Sequence, residues 1–160
     1  MATKLKTNKV EKEAVSLTEK ILEMLGVEAK VEAETQDSLI KINIDGQDLG
    51  LLIGYRGENL ESLQLLLGIM LNKEVEFGSW QPVLVDVGGW REVREEALRT
   101  LVEREAAKIS SERKAVELPA MPPSQRRTVH LLVEQYDGLT SESTGEGSER
   151  RVVIKKTEEV

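Results

Sequence analysis

Leu51-Leu52-Ile53-Gly54-Tyr55-Arg56-Gly57-Glu58-Asn59-Leu60 runs from an apolar segment through Gly-x-x-Gly into a helical pattern. Neither glycine carries a Cβ, so the backbone can turn sharply at both and another chain can lie against it. The helix that follows offers unpaired N–H groups and the positive end of its dipole to an anion. Arg56 adds a formal charge inside the loop. These features suit a sugar-phosphate backbone, with Gly54 and Gly57 leaving room and Arg56 meeting a phosphate. Ile53 and Leu60 are expected to be part core and part groove wall. Tyr55 is placed either to stack on a base or to cover its own helix.

On the N-terminal side, Asn8 to Leu25 reads as a helix, with Val10, Ala14, Leu17 and Ile21 on one face. Asn8 with Glu11 resembles a capping box, and Gly26 is a stop signal. Val27, Ala29, Val31 and Ala33 alternate with polar residues, as do Ile40, Ile42 and Ile44. The two runs predict a hairpin turning at Thr35-Gln36-Asp37. Leu49 to Ile53 fits one or two helical turns. On the C-terminal side, Glu58 to Asn72 predicts a helix with Leu60, Leu63, Leu67, Met70 and Leu71 on its stripe. Val83-Leu84-Val85 follows as a short strand. The order is α-β-β-α-α-β.

Gly88-Gly89 is the expected boundary between domains at 8–87 and 88–157. A long helix is predicted from Trp90 to Lys114, with Val93, Ala97, Leu101 and Ile109 on one side. Trp80 and Trp90 read as packing residues near the boundary, because Trp offers a large apolar area. Pro119, Pro122 and Pro123 make Leu118 to Pro123 a loop. A helix then runs to about Glu134. Leu139 to Thr144 and Arg150 to Lys156 form a hairpin around Gly145-Glu146-Gly147-Ser148, and Glu158 to Val160 is a tail.

The composition narrows the function classes. The chain has 160 residues, no cysteine and one histidine. Disulfides and thiolate metal sites are therefore excluded, and so is a multi-histidine site within one chain. No apolar run approaches the roughly 18 residues of a membrane span. Met1 to Lys9 is basic but lacks the apolar core of a signal peptide. A cytoplasmic protein without a membrane partner is expected. The formal net charge is −7, which runs against nucleic-acid binding unless the cations are gathered locally. Up to Val87 there are 9 Lys and Arg against 15 Asp and Glu; from Gly88 on there are 13 against 14.

The element order, together with Gly54-Tyr55-Arg56-Gly57, resembles a type II KH domain, whose loop clamps about four nucleotides of a single strand. The second half carries Arg126-Arg127-Thr128-Val129-His130, then Gly138-Leu139-Thr140-Ser141-Glu142-Ser143-Thr144-Gly145-Glu146-Gly147 and Arg150-Arg151-Val152-Val153-Ile154. That half is similar to the R-three-H domain, named for Arg-x-x-x-His. The two in this order resemble the bacterial Jag family, also called KhpB, over roughly Lys9 to Lys156. The fold class implied is α+β, a KH domain followed by a small R-three-H domain. The resemblance implies a single-stranded RNA binder in post-transcriptional control linked to cell growth and division, and a partner consisting of a single KH domain. Family members often carry an additional N-terminal Jag domain and a linker. This chain starts almost directly with the KH helix, so functions resting on that domain are not expected of it.

Arg126 and His130 are four residues apart and share a helix face. With Arg150 and Arg151 on the last hairpin they make a candidate phosphate patch; the plainer alternative is a half-buried histidine bonded to backbone. Single-stranded DNA is open to this second domain as well. For catalysis, the chain offers no nucleophilic cysteine, no Walker-type loop and no metal-ligand cluster. A histidine-dependent nuclease would need a second acid or base beside His130. No catalytic residue, metal ligand or cofactor is therefore assigned. The remaining alternative is an interaction module that forms KH–KH homodimers or heterodimers and has no RNA site of its own.

Overall fold

The computed structural model describes residues 2–75, 78–111 and 114–157. The predicted tail at Glu158 to Val160 lies outside them. The chain divides into two compact units, Met1–Trp90 and Arg91–Val160.

In the first unit, helix α1 spans Ala2–Leu25. It buries Val10, Ala14, Leu17, Ile21 and Leu22 against the sheet and against the later helix. The helix starts six residues before Asn8, so the expected capping box does not form. Glu11 instead accepts the Thr35 backbone N–H at 2.9 Å, and so ties the helix to the first strand. Gly26, at φ 67°, ends the helix. The Val27 N–H reaches back to the Leu22 carbonyl at 2.9 Å and that of Gly26 to Glu23 at 3.0 Å, which satisfies the last carbonyls in a Schellman arrangement.

Strands β1 (Ala29–Gln36) and β2 (Leu39–Gly46) pair antiparallel, with Gln36 opposite Leu39. Only Asp37 and Ser38 remain for the turn, and both have positive φ, 49° and 67°. Two such residues match the right-handed twist of the strands. β3 (Val83–Val87) lies parallel to β2 on its other side, with Ile42 opposite Val85. A parallel neighbour requires a crossover. Helix α2 (Gly50–Ile53), a loop and helix α3 (Glu58–Val75) supply it. Ile42, Ile44, Val85 and Val87 are wholly buried, as are Leu60 and Leu71 of α3. The sequence-predicted stripe on α3 is therefore the buried one, with Met70 at its margin.

In the second unit, α4 spans Trp90–Ser111. Its buried residues are Leu98, Val102, Glu105, Ala106 and Ile109. Of the predicted stripe Ile109 is wholly buried and Leu101 packs at the edge of the core, while Val93 and Ala97 are exposed, so the buried row is rotated from the predicted one in the first half of the helix. A carboxylate in the buried row hid the period. Glu105 is held there by Lys108 at 2.8 Å and Arg104 at 3.0 Å. A strand absent from the sequence reading, β4 (Ala115–Glu117), follows; three residues are too few for alternation to show. Helix α5 (Pro123–Val133) begins with a proline at its first turn, where no N–H is needed. Strands β5 (Leu139–Thr144) and β6 (Arg151–Lys156) complete an antiparallel sheet ordered β4-β6-β5. Val152 and Ile154 of the central strand are wholly buried.

Candidate nucleic-acid interface

Two places gather the sequence-predicted site residues, one in each unit. In the first, α2 ends at Gly54, whose N–H bonds the Gly50 carbonyl at 2.9 Å. Gly54 takes φ 69° and ψ −172°. A 3-10 turn, Tyr55–Gly57, then leads into α3. Arg56 sits in the left-handed region at φ 53°, ψ 23°, and Gly57 at φ 87°. Positive φ at a residue with a side chain is uncommon and is held by its surroundings.

Those surroundings are within the unit. A Cβ on Gly57 would lie 2.2 Å from the Trp90 ring. A Cβ on Gly54 would lie 2.4 Å from the Asn59 side chain, whose amide donates to the Leu51 carbonyl at 2.8 Å. Protein atoms fill the direction of each missing Cβ. Gly57 is buried, and its smallness serves the packing of Trp90. Trp90 itself is half-buried on the core of the first unit, while Trp80 is 62% exposed and lies over Gly68.

The outward groups of the loop are side chains. Tyr55 is 69% exposed, and the Arg56 guanidinium sits 4.8 Å above its ring centroid, a cation–π contact. That stack presents a flat face and a charge together. Ile53 is half-buried against the core. Leu60 is fully buried and lines no groove, which corrects the expectation of a groove wall. Its place in the α3 stripe turns it inward.

In the second unit, Arg126 and His130 project from α5 towards β5. Ser141 and Ser143 alternate along that strand and meet the histidine from below. His130 Nδ1 is 2.8 Å from Ser141 Oγ, and Nε2 is 3.0 Å from Ser143 Oγ. Arg126 donates through Nη1 to Ser143 Oγ at 3.2 Å and through Nε to the Met121 carbonyl at 3.3 Å. His130 is half-buried, but its bonds go to side chains and not to backbone. Met121 N–H in turn bonds the Arg150 carbonyl at 3.1 Å, which ties the backbone at Arg150 to the residue that accepts from Arg126, while the Arg150 side chain is exposed. Arg151 does not join them. It pairs across the sheet with Thr144, out of phase with Ser143 and Val152, and so faces the opposite side. There it bonds Glu149 at 3.2 Å and approaches Glu117 at 3.6 Å. Sequence reasoning missed Ser141, Ser143 and Asn59; it read Trp90 as a packing residue, which it is, without its partner Gly57. The two-residue spacing of the serines was the one available signal.

This is a KH unit followed by an R-three-H unit. Residues 11–78 match the model described as KhpA/KhpB, KH domain, and residues 96–156 match that of the R-three-H domain. The RNA-binding protein KhpB of Clostridium symbiosum is 32% identical over 143 residues, which cover 88% of this chain and 64% of that protein. KhpB of Bacillus subtilis is 30% identical over 136 residues, 84% of this chain and 64% of its own length. KhpB of Streptococcus pneumoniae D39 is 28% identical over 158 residues, 96% and 48%. The chain thus spans between about half and two thirds of these relatives. It belongs to the Jag/KhpB family.

Proposed function

We propose that the chain binds single-stranded RNA, without catalysis, as a cytoplasmic post-transcriptional regulator connected with growth and division. The observation that carries this reading is the Tyr55–Arg56 stack. It is an aromatic face and a cation presented together at the tip of the helix–loop–helix, as stacking on single-stranded bases requires. The relatives named as RNA-binding proteins support it. The arginines of the second unit extend the reach, and single-stranded DNA suits them as well. The decisive experiment is a titration of a short oligouridine against the parent and against a Tyr55→Asp, Arg56→Asp double variant. Both positions point outward or already accept a side chain, so circular dichroism should be unchanged. Affinity should fall about tenfold or more, since two contacts of about 1 kcal/mol or above are lost and two negative charges gained. Parent-like binding by the double variant would remove the loop from the function.

A second reading has its own observation. Leu65, Leu66 and Ile69 form an exposed apolar row on α3, at 62%, 47% and 49% exposure. Singly exposed leucines are ordinary, but a contiguous row suits a partner surface. It supports KH–KH pairing, as a homodimer or with a small single-KH protein. Pairing would also lengthen the RNA track and raise avidity. Light scattering should show a dimer, or a lysate pull-down a KH partner, and Leu66→Glu should abolish it. An interaction module without an RNA site would keep the pairing and bind no oligouridine.

A further inference from the structure

Ser141 and Ser143 stand opposite Ile154 and Val152 in the sheet register, so both hydroxyls rise from the face on which α5 packs. Together they occupy both ring nitrogens of His130. A histidine that grips a phosphate needs an N–H free to donate, and here each nitrogen already has a hydroxyl. Ser143 is more telling. Its oxygen has two lone pairs and one hydrogen. The Arg126 guanidinium only donates, so one lone pair is taken by Nη1. If His130 Nε2–H takes the other, the Ser143 hydrogen has no acceptor in the cluster and turns outward. A neutral imidazole then accepts at Nδ1 from the Ser141 O–H. Arg126 keeps Nη2 without a partner among the described residues, next to that hydroxyl. Arg126 and Ser143 are both partly solvent-accessible.

We infer that Arg126 and Ser143 form an oxyanion seat for one phosphate of a single strand, with Nη2 and the Ser143 hydroxyl as its donors. His130 with Ser141 is a positioning pair that directs the Ser143 hydroxyl outward and does not itself touch the strand. This inference rests on the single-strand reading above. It also changes what acid should do. An imidazolium still donates from Nε2 to Ser143, while Nδ1–H then donates to Ser141, so the seat survives in both charge states. The groups that face the ring are the two serines and Arg126; Arg127 and Glu134 are the other charges within a turn along the chain, and β6 turns Val152, Ile154 and, at its far end opposite Leu139, Lys156 to that face.

The test uses the full chain carrying Tyr55→Asp and Arg56→Asp, so that the second unit is read alone, with a short oligouridine as probe. Ser143→Ala should weaken binding about tenfold, the value of a hydrogen bond to a charged group. Ser143→Thr keeps the hydroxyl and should bind like its parent, which separates loss of a donor from loss of fold. His130→Ala should cost about as much as Ser143→Ala, and the two together no more than either, because both act through one hydroxyl. His130→Gln can still donate to Ser143 and should recover most of the loss. The His130→Ala penalty should be the same in mildly acidic and mildly alkaline buffer, since either charge state of the ring donates from Nε2. Additive losses, or a penalty that grows in the acidic buffer, would place His130 on the strand and overturn the inference. Unchanged affinity of Ser143→Ala, or no binding at all by the loop-variant background, would overturn it too. Failure of the unmodified chain to bind would instead sink the broader RNA reading.

Discussion

The glycine loop and the histidine cluster present their outward groups by opposite means. At the loop the backbone is fixed by packing and the Tyr55 ring is left exposed. Asn59 and Trp90 fill the space beside Gly54 and Gly57, Arg56 takes a left-handed conformation between them, and its guanidinium lies over the exposed Tyr55 ring. At the cluster the backbone is ordinary helix and strand, and the side chains are fixed. Arg126, His130, Ser141 and Ser143 hold one another through four hydrogen bonds, one of them to Met121. A loop of the first kind is sensitive to any added atom at its glycines and tolerant at the two residues between. A cluster of the second kind is sensitive to the loss of single polar atoms and indifferent to backbone freedom.

The largest effect should come from breaking the loop where it is packed. Gly57→Ala puts a Cβ into the Trp90 ring and forces a side chain to φ 87°. Overpacking costs about 1–3 kcal/mol, and a left-handed residue about 1 kcal/mol more. Urea unfolding should therefore lose roughly 2–4 kcal/mol, with the transition of the first unit moving. Gly147→Ala is the matched control in the second unit. Its φ of 54° is also positive, but nothing lies within 4 Å of its Cβ position, so only the backbone term of about 1 kcal/mol applies. Equal losses at the two glycines would show that conformation, not Trp90, sets the requirement at Gly57.

How far these differences could be read from the chain follows the same division. Gly-x-x-Gly announced the loop, and the alternation at Val31, Ile40 and Ile42 announced the sheet that carries it, because periodicity and glycine are local signals. What fills the glycines was not legible, since Trp90 is thirty-three residues from Gly57 in sequence and meets it only in the folded unit. The α4 stripe was misplaced because Glu105 interrupts it and its ion partners, Arg104 and Lys108, look like surface charges. In the cluster, Arg126 and His130 could be placed on one helix face by counting. Their bonding to Ser141 and Ser143 depended on strand register, which counting does not supply.

The buried carboxylate gives the second unit an acid-sensitive element of its own. Lys108, bonded to Glu105, holds that carboxyl below its ordinary 4.5, with Arg104 assisting against the opposing effect of burial. A depressed folded-state value means that the stabilisation is complete above the unfolded value and is lost as pH falls through the folded one. Thermal melts should therefore show the second unit weakening below about pH 4.5, and Glu105→Gln should lower its stability at pH 7 while removing that part of the acid slope. A slope unchanged by the substitution would assign the acid sensitivity to other carboxylates.

Salt dependence sharpens the comparison next. On the proposed reading, Arg56 of the loop and Arg126 and Arg150 of the second unit each meet one phosphate. At about −0.7 per phosphate for a single strand, log K should fall with log salt at a slope near about −2. Arg56→Gln and Arg126→Gln should each reduce its magnitude by about 0.7, if the two sites hold one strand's phosphates independently. A flat response in the parent would mean that neither site works through charge.

The smallest effect should be at Arg151, although by sequence it is indistinguishable from Arg150. Both are arginines on the last hairpin, and both were candidates for the same patch. Strand alternation separates them. Arg151 belongs to the face of Thr144, and its guanidinium is already engaged by the Glu149 carboxylate and backbone carbonyl and approached by Glu117. Moving it to a phosphate would strip two carboxylates of their partner and would still leave it on the wrong side of the sheet. Arg151→Ala should therefore change oligouridine affinity by less than about twofold and leave the salt slope as it was. Exposed ion pairs contribute about 0–1 kcal/mol, so its cost in stability should be equally slight. Arg150→Ala, measured beside it, should lower the affinity more. If Arg151→Ala proved the more damaging of the two, the strand would cross the other face of the sheet, and the Arg126–Ser143 side would not be the binding face.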